Sequence, residues 1–176
     1  EKQIILNSKK MKINYGILRY FNVCGASPSG KIGIISKGDH LFKNISVAAM
    51  KKKPIIKIYG NDYNTPDGTA IRDFIHVSDL AEVHYRVLNA ISKSKQSKVL
   101  NCGYSRGLSV KQVVNEFRNQ INKPFQIKFK NRRTGDMEML IANNAILKKL
   151  INWKPKYNNL TTIVRSCIRW EKKINS

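Results

Sequence analysis

Residues 55–77, IIKIYGNDYNTPDGTAIRDFIHV, limit the possible folds more than any other part of the chain. The stretch begins as a strand: Ile56, Ile58 and Gly60 fall on one face, Ile55, Lys57 and Tyr59 on the other. A loop of Asn, Asp, Thr, Pro and Gly interrupts it, all of them turn residues. A second apolar run, Phe74-Ile75-His76-Val77, follows directly on the charged pair Arg72-Asp73. A helical pattern then starts with almost no connector. Asp79 and Glu82 stand at capping-box spacing, and Leu80, His84, Val87, Leu88 and Ile91 form one stripe. A strand leading straight into an amphipathic helix is the repeating unit of α/β proteins.

The flanking segments extend that order. Residues 1–12 read as the end of a polar helix, and residues 15–23 as a buried, parallel strand with Arg19 inside it. Residues 25–38 are glycine-punctuated loop, after which Leu41, Ile45, Ala48 and Ala49 recur at helical spacing until Pro54. Residues 99–102 form a short strand. Ser109 with Gln112 makes a second capping box, opening a helix striped by Val110, Val113, Val114, Phe117 and Ile121. Residues 125–129 alternate as a half-exposed strand. Asn143 or Asn144 caps a helix with Ile146, Leu147 and Leu150, and Ile163, Cys167, Trp170 and Ile174 stripe the last helix. The expectation is one α/β unit over residues 1–176 with at least part of a parallel sheet.

Charge raises a different possibility. Lys and Arg number 33 against 11 Asp and Glu, a net charge of +22, which makes a non-catalytic polyanion-binding module worth weighing. The lysines, however, are scattered over every segment, and no basic block is interleaved with aromatics as a stacking platform requires. No nucleic-acid partner is therefore expected. No apolar run approaches the roughly 18–20 residues that cross a bilayer, so no membrane partner is expected and the compartment read is cytoplasmic. Cys24, Cys102 and Cys167 lack a C-x-x-C spacing and fit reduced thiols; with no ligand spacing among the histidines either, no metal is expected.

Known catalytic patterns are scarce. GASPSGKI, residues 25–32, nearly matches a phosphate loop, but Ile32 stands where a hydroxyl would hold Mg²⁺. No glycine-rich dinucleotide fingerprint occurs, and no tyrosine is followed four residues later by lysine. Two groups of potential anion binders remain: Arg72 beside Asp73, and Arg132-Arg133 before the turn Thr134-Gly135-Asp136. Residue pattern alone favours reading them as surface arginines with local aspartate partners.

At these same residues the sequence strongly resembles the UDP-glucose 4-epimerases, extended short-chain dehydrogenase/reductases. The likeness runs in order through LRYFNVCGASPSGKIG (18–33), Asp39-His40-Leu41, IYGNDYNTPDGTAIRDFIHVSDLAEVH (58–84), NCGYSRGLSV (101–110), NRRTGD (131–136) and NWKPKY (152–157). Related nucleotide-sugar dehydratases and decarboxylases usually carry a shorter version around their R-D, without the D-Y-x-T-x-D-G-T insertion. The resemblance implies the last strands and helices of a Rossmann sheet plus a small substrate-binding domain.

It also implies a reaction, in which NAD takes a hydride from C4 of a UDP-sugar and returns it to the opposite face. By resemblance, Asn22 would contact the diphosphate region and Phe21 would sit near the nicotinamide. His40 and Leu41 would lie along the nucleotide, while Lys57, Ile58 and Tyr59 would line the uridine pocket. Arg72 and Arg133 would clamp phosphates and Asp136 would hold the ribose. Leu140, where some members carry a bulky Tyr, would leave room for an N-acetyl group. The family's glycine-rich loop and Tyr-x-x-x-Lys pair have no counterpart here. The chain is thus expected to be the C-terminal, substrate-binding half, without catalytic residues of its own and inactive alone. Other nucleotide-sugar epimerases or dehydratases share the implied fold, and the family implies a homodimer for the full-length protein.

Overall fold

A computed structural model describes every residue except Ser36, Lys37, Asp39 and Asn122. Asp39 of the Asp39-His40-Leu41 motif therefore lies outside the described residues. The chain runs α1 (Lys2–Met11), β1 (Gly16–Tyr20), β2 (Asn22–Cys24), α2 (Leu41–Ala49), β3 (Ile55–Tyr59), β4 (Ile71–His76), α3 (Val77–Ser94), β5 (Lys98–Cys102), β6 (Gly107–Ser109), α4 (Val110–Ile121), β7 (Gln126–Lys130), β8 (Met139–Leu140), α5 (Ala145–Ile151) and α6 (Leu160–Ile174). The α/β expectation holds.

Pairing is mostly parallel: β1 with β5, β2 with β4, β3 with β7 and β4 with β8, whereas β4 and β6 run antiparallel. Strand β4 divides the interior. Because successive side chains of a strand point to opposite faces, Phe74 enters a core with Phe42, Ile56, Phe117 and Ile163. Its neighbour Ile75 enters a second core with Leu80, Val83, Leu100 and Leu147. Phe42 also meets Phe74 and Phe117 edge-on, with ring centroids 5.0 and 5.6 Å apart. A strand covered on both faces is rigid, and Arg72 is carried near its start.

Several local readings are confirmed. The capping box at α4 is reciprocal: Ser109 N donates to Gln112 Oε1 at 2.8 Å, and Gln112 N donates to Ser109 Oγ at 3.0 Å. Strand β3 alternates as expected, with Ile56 and Ile58 buried and Ile55 and Lys57 exposed.

Other readings need correction. Asp79 is no cap: α3 starts at Val77, and its N-cap is His76, whose Nδ1 accepts from Ser78 N at 3.1 Å. Asp79 is wholly buried and accepts instead from Tyr104 Oη (2.6 Å), Lys156 N and Tyr157 N (both 2.9 Å). On α3 the expected Leu80, Val87 and Ile91 are buried, but Val83 joins them in place of His84, and His84 and Leu88 are exposed. Ile146 of α5 and Ile174 of α6 also face outward. Strand β1 is parallel but only Ile17 is buried; Arg19 is exposed and pairs with Glu1.

The three cysteines are buried free thiols. Burial pushes Cys102 up to about 11 and Cys167 up to about 12, which leaves both protonated and unreactive near neutrality.

One charged pair joins two core helices. Lys43 Nζ of α2 lies 2.7 Å from Glu171 Oε2 of α6, with side-chain exposures of 8% and 4%. Lys43→Met strands a buried carboxylate and is expected to cost about 3–5 kcal/mol of stability. Denaturant unfolding should show most of that loss recovered in Lys43→Met/Glu171→Met, where neither charge remains.

Candidate functional site

A cavity of about 730 Å³ opens between β2, β3, β4 and α2. Of the residues implicated by sequence, Phe21, Asn22, His40, Leu41, Lys57, Ile58, Tyr59, Arg72, Arg133 and Asp136 all line it. They come from five separate segments. Leu140 is not among the lining residues; it sits on β8 as the Cα partner of Arg72.

Each wall has a local cause. Phe21 occupies the break between β1 and β2, where the strand exchanges β5 for β4 as its partner. Asn22 is fixed through its amide, which donates to Asp73 O at 3.3 Å. His40 is the extended N-cap of α2, with no side-chain capping bond, and Leu41 is that helix's first residue. Lys57 and Tyr59 lie on the more exposed face of β3, and Ile58, only 1% exposed, lines the cavity from the buried face.

The arginines are sorted by their partners. Arg72, 12% exposed, pairs through Nη2 with Asp136 Oδ1 and donates from Nη1 to its own Ile71 O at 2.8 Å. The Arg72-Asp73 pair suggested by sequence does not form. Asp73 points the other way, wholly buried, and accepts from Tyr104 N, Ser105 N and Ala142 N at 2.8, 2.9 and 3.2 Å. Arg133 lies over the Tyr59 ring, 4.2 Å from its centroid. Asp136 N donates to Arg133 O at 3.1 Å across a tight turn whose third residue, Gly135, sits at φ 76°. That turn delivers Arg133 and Asp136 to the cavity together. Arg132 points elsewhere, to Asp62.

Sequence reasoning missed Asn44, Ala70, Phe74 and Val110 as lining residues. Asn44 had a signal, since it lies one helical turn beyond His40 and Leu41. Val110 had none, because only the pairing of β4 with β6 brings it near.

The glycine loop after β2 is unsuited to cradling phosphates. Several of its N–H groups are already engaged: Ala26 N donates to Ser166 Oγ, Ser27 N to Ile32 O, Gly30 N to Ser27 O, and Lys31 N and Ile32 N to Ser27 Oγ. Among the described residues there is no cluster of His, Cys, Asp or Glu able to hold a metal, and no helix long and apolar enough to cross a membrane.

A guanidinium, a lysine and an aromatic ring stacked on a second guanidinium converge on one cleft, a combination of cationic and planar surface. The chain belongs to the NAD dependent epimerase/dehydratase family, whose pattern matches residues 2–103. Within that family it is 42% identical over 159 residues to the UDP-glucose 4-epimerase of Azospirillum brasilense, covering 90% of this chain and 46% of that protein. The solved UDP-glucose 4-epimerase of Stenotrophomonas maltophila, with bound NAD and formylated UDP-arabinopyranose, superimposes with a TM-score of 0.91 at 29% identity. The match covers 99% of this chain and 53% of that one. The UDP-Glc/GlcNAc 4-epimerase of Campylobacter jejuni gives 0.77 at 35% identity, covering 97% and 53%. The chain spans about half the length of the curated relatives it matches.

Proposed function

We propose that residues 1–176 form the substrate-binding portion of a UDP-glucose 4-epimerase, one α/β unit that holds a UDP-sugar while bound NAD exchanges a hydride with it. The observation that carries this reading is the gathering of Lys57, Tyr59, Arg72, Arg133 and Asp136 at one cavity. Their chemistry suits the ligand: guanidinium groups for a diphosphate, an aromatic face for a base and a carboxylate for ribose hydroxyls.

NAD supplies the hydride acceptor when bound. Of this chain's residues, Phe21 at the cavity wall suits contact with the nicotinamide, and the already engaged glycine loop does not suit the dinucleotide phosphates. Asn22 orients the diphosphate region, the β3 wall holds the uridine end, and Arg72 and Arg133 neutralise the phosphates. No residue of the chain is assigned the proton transfer that epimerisation requires. The 176 residues are therefore expected to bind UDP without turning over UDP-galactose.

Calorimetric titration with UDP, paired with product analysis after mixing the chain, NAD and UDP-galactose, tests both halves. Absence of UDP binding would refute the site. Formation of UDP-glucose would refute inactivity.

The similarity to a UDP-Glc/GlcNAc 4-epimerase favours a broader sugar range. Leu140, half-buried beside Arg72 on β8, leaves more space than a Tyr would. The full-length enzyme is expected to accept UDP-N-acetylglucosamine, and Leu140→Tyr to lower kcat/KM for it by about tenfold or more while sparing UDP-glucose. Equal losses on the two sugars would remove Leu140 from specificity.

A further inference from the structure

Strands β3 and β7 carry a cationic strip of which the cavity uses only one end. The two strands are parallel and in register, with Ile55 opposite Gln126, Lys57 opposite Lys128 and Tyr59 opposite Lys130. Paired residues stand on the same face of a sheet, on strands about 4.8 Å apart. Ile56 and Ile58 are buried on the inner face, which leaves Lys57, Lys128 and Lys130 exposed together on the outer one. Main-chain bonds hold both ends of the pairing: Gln126 N donates to Pro54 O at 3.0 Å and Gly60 N to Lys130 O at 2.8 Å.

The strip is not neutralised. Among the described residues, none of these three lysines forms an ion pair. The aspartates of the adjoining loops are taken, Asp62 by Arg132 and Asp136 by Arg72. Lys57 faces Lys128 across the strands, and the two like charges repel. Solvation explains polar side chains on this face, but uncharged ones would be solvated without that repulsion.

One end of the strip meets the cavity. Lys57 and Tyr59 line it, and Arg133 lies over the Tyr59 ring, 4.2 Å from its centroid. Lys128 and Lys130 stand outside the lining, one strand further out. Their charge still reaches a ligand on its way in, because screening lengths run from about 10 Å at 0.1 M salt to about 30 Å at 0.01 M. A surface of one sign leading to a cleft raises the local concentration of an oppositely charged ligand and its association rate. Resting on the nucleotide reading of the cavity, we propose that Lys128 and Lys130 extend Lys57 into an approach strip that captures an anionic nucleoside diphosphate and steers it into the cavity. The two lysines act on the rate of arrival and leave the bound state unchanged.

UDP binding to the unaltered protein, Lys128→Gln/Lys130→Gln and Lys128→Glu/Lys130→Glu tests this. Titration calorimetry gives Kd, exchange broadening of the UDP phosphorus signals gives koff, and the two together give kon. At about 20 mM salt the glutamine pair should slow association about threefold or more, and the glutamate pair further, with koff changed less than about twofold. At about 500 mM salt the difference should shrink below about 1.5-fold, because screening removes it. The glutamine pair should not lower Tm, since it removes repulsion and no ion pair. Lys148→Gln/Lys149→Gln is the control. Both lysines are exposed on α5, whose Leu147 and Leu150 pack in the second core, and this pair should keep kon within about 1.5-fold. An unchanged kon in the glutamine pair, or equal slowing in the α5 pair, would overturn the steering role. So would a loss of affinity carried by koff, which would make the lysines contacts of the bound nucleotide. If the unaltered protein does not bind UDP, the reading of the cavity falls and takes this inference with it; binding by the unaltered protein with no change of kon in the glutamine pair removes the inference alone.

Discussion

Arg72→Ala is expected to weaken UDP binding by about 30- to 100-fold, on the order of 2–3 kcal/mol, without comparable loss of stability. Arg72 lies on β4, whose following residues Asp73, Phe74, Ile75 and His76 are all buried, so the guanidinium is held by a strand that cannot shift. Its partner Asp136 is 29% exposed, and losing the pair leaves that carboxylate partly solvated, at modest cost to folding. Removing the guanidinium from a bound diphosphate has no such relief, because it was a largely desolvated donor to a doubly charged group. Arg72→Lys should recover only part of the loss, since an ammonium cannot present two parallel N–H donors. Arg86→Ala is the control: it pairs with Glu82 on α3, away from the cavity, at 41% and 21% exposure, and should bind UDP within about twofold of the unaltered chain. Titration calorimetry measures all three. Equal affinities for Arg72→Ala and Arg86→Ala would show that Arg72 is not a phosphate ligand.

How much of this was legible in the sequence depends on the range of the interaction. Local physics was readable. The Ser109/Gln112 box is satisfied within one helical turn, and β3 alternates because each residue chooses core or solvent by itself. Asp79 failed for the opposite reason. Its spacing to Glu82 imitates a cap, but its partners lie 77 and 78 positions away at Lys156 and Tyr157, where no local pattern can show them. On α3, Leu80, Val87 and Ile91 keep the expected stripe, whereas His84 and Leu88 leave it and Val83 is buried in it. Adjacent helix positions lie about 100° apart, so Val83 can be buried while its neighbour His84 faces solvent.

The site shows the same division. Composition offered 33 cations with no way to rank them. The family likeness selected Arg72 and Arg133 over Arg132. The geometry separates them: Arg132 turns to Asp62, while its neighbour stacks on Tyr59 at the cavity. What no pattern conveyed was the exchange of partners between two adjacent residues, Arg72 taking Asp136 and Asp73 taking three backbone amides.

Those amides make Asp73→Ala the most destabilising substitution expected in the chain. The Asp73 carboxylate is inaccessible to water and ties β4 to two segments remote in sequence, receiving Tyr104 N and Ser105 N from one and Ala142 N from the other. Burial pushes its pKa up, and these amides pull it back down. A carboxylate with three donors satisfies both sides at once; alanine leaves three N–H groups without that acceptor, the Ala142 one buried and those of Tyr104 and Ser105 partly so. At about 1–3 kcal/mol for each, partly relieved by relaxation, the loss should reach about 4 kcal/mol or more. For a domain of this size that corresponds to a fall in Tm of about 8–16 °C. Asp73→Asn keeps one accepting oxygen but turns an amide donor toward the remaining N–H, so it should fall between the two. The neighbouring glycine leaves no room to repack, because a Cβ at Gly103 would sit 2.5 Å from Asp73 Oδ2. Thermal denaturation followed by circular dichroism decides the matter. A drop below about 3 °C for Asp73→Ala would mean that the amides find other acceptors and that β4 does not depend on this anchor. A large drop, with UDP affinity near normal below the transition, would separate the residue that holds the strand from the adjacent one that meets the ligand.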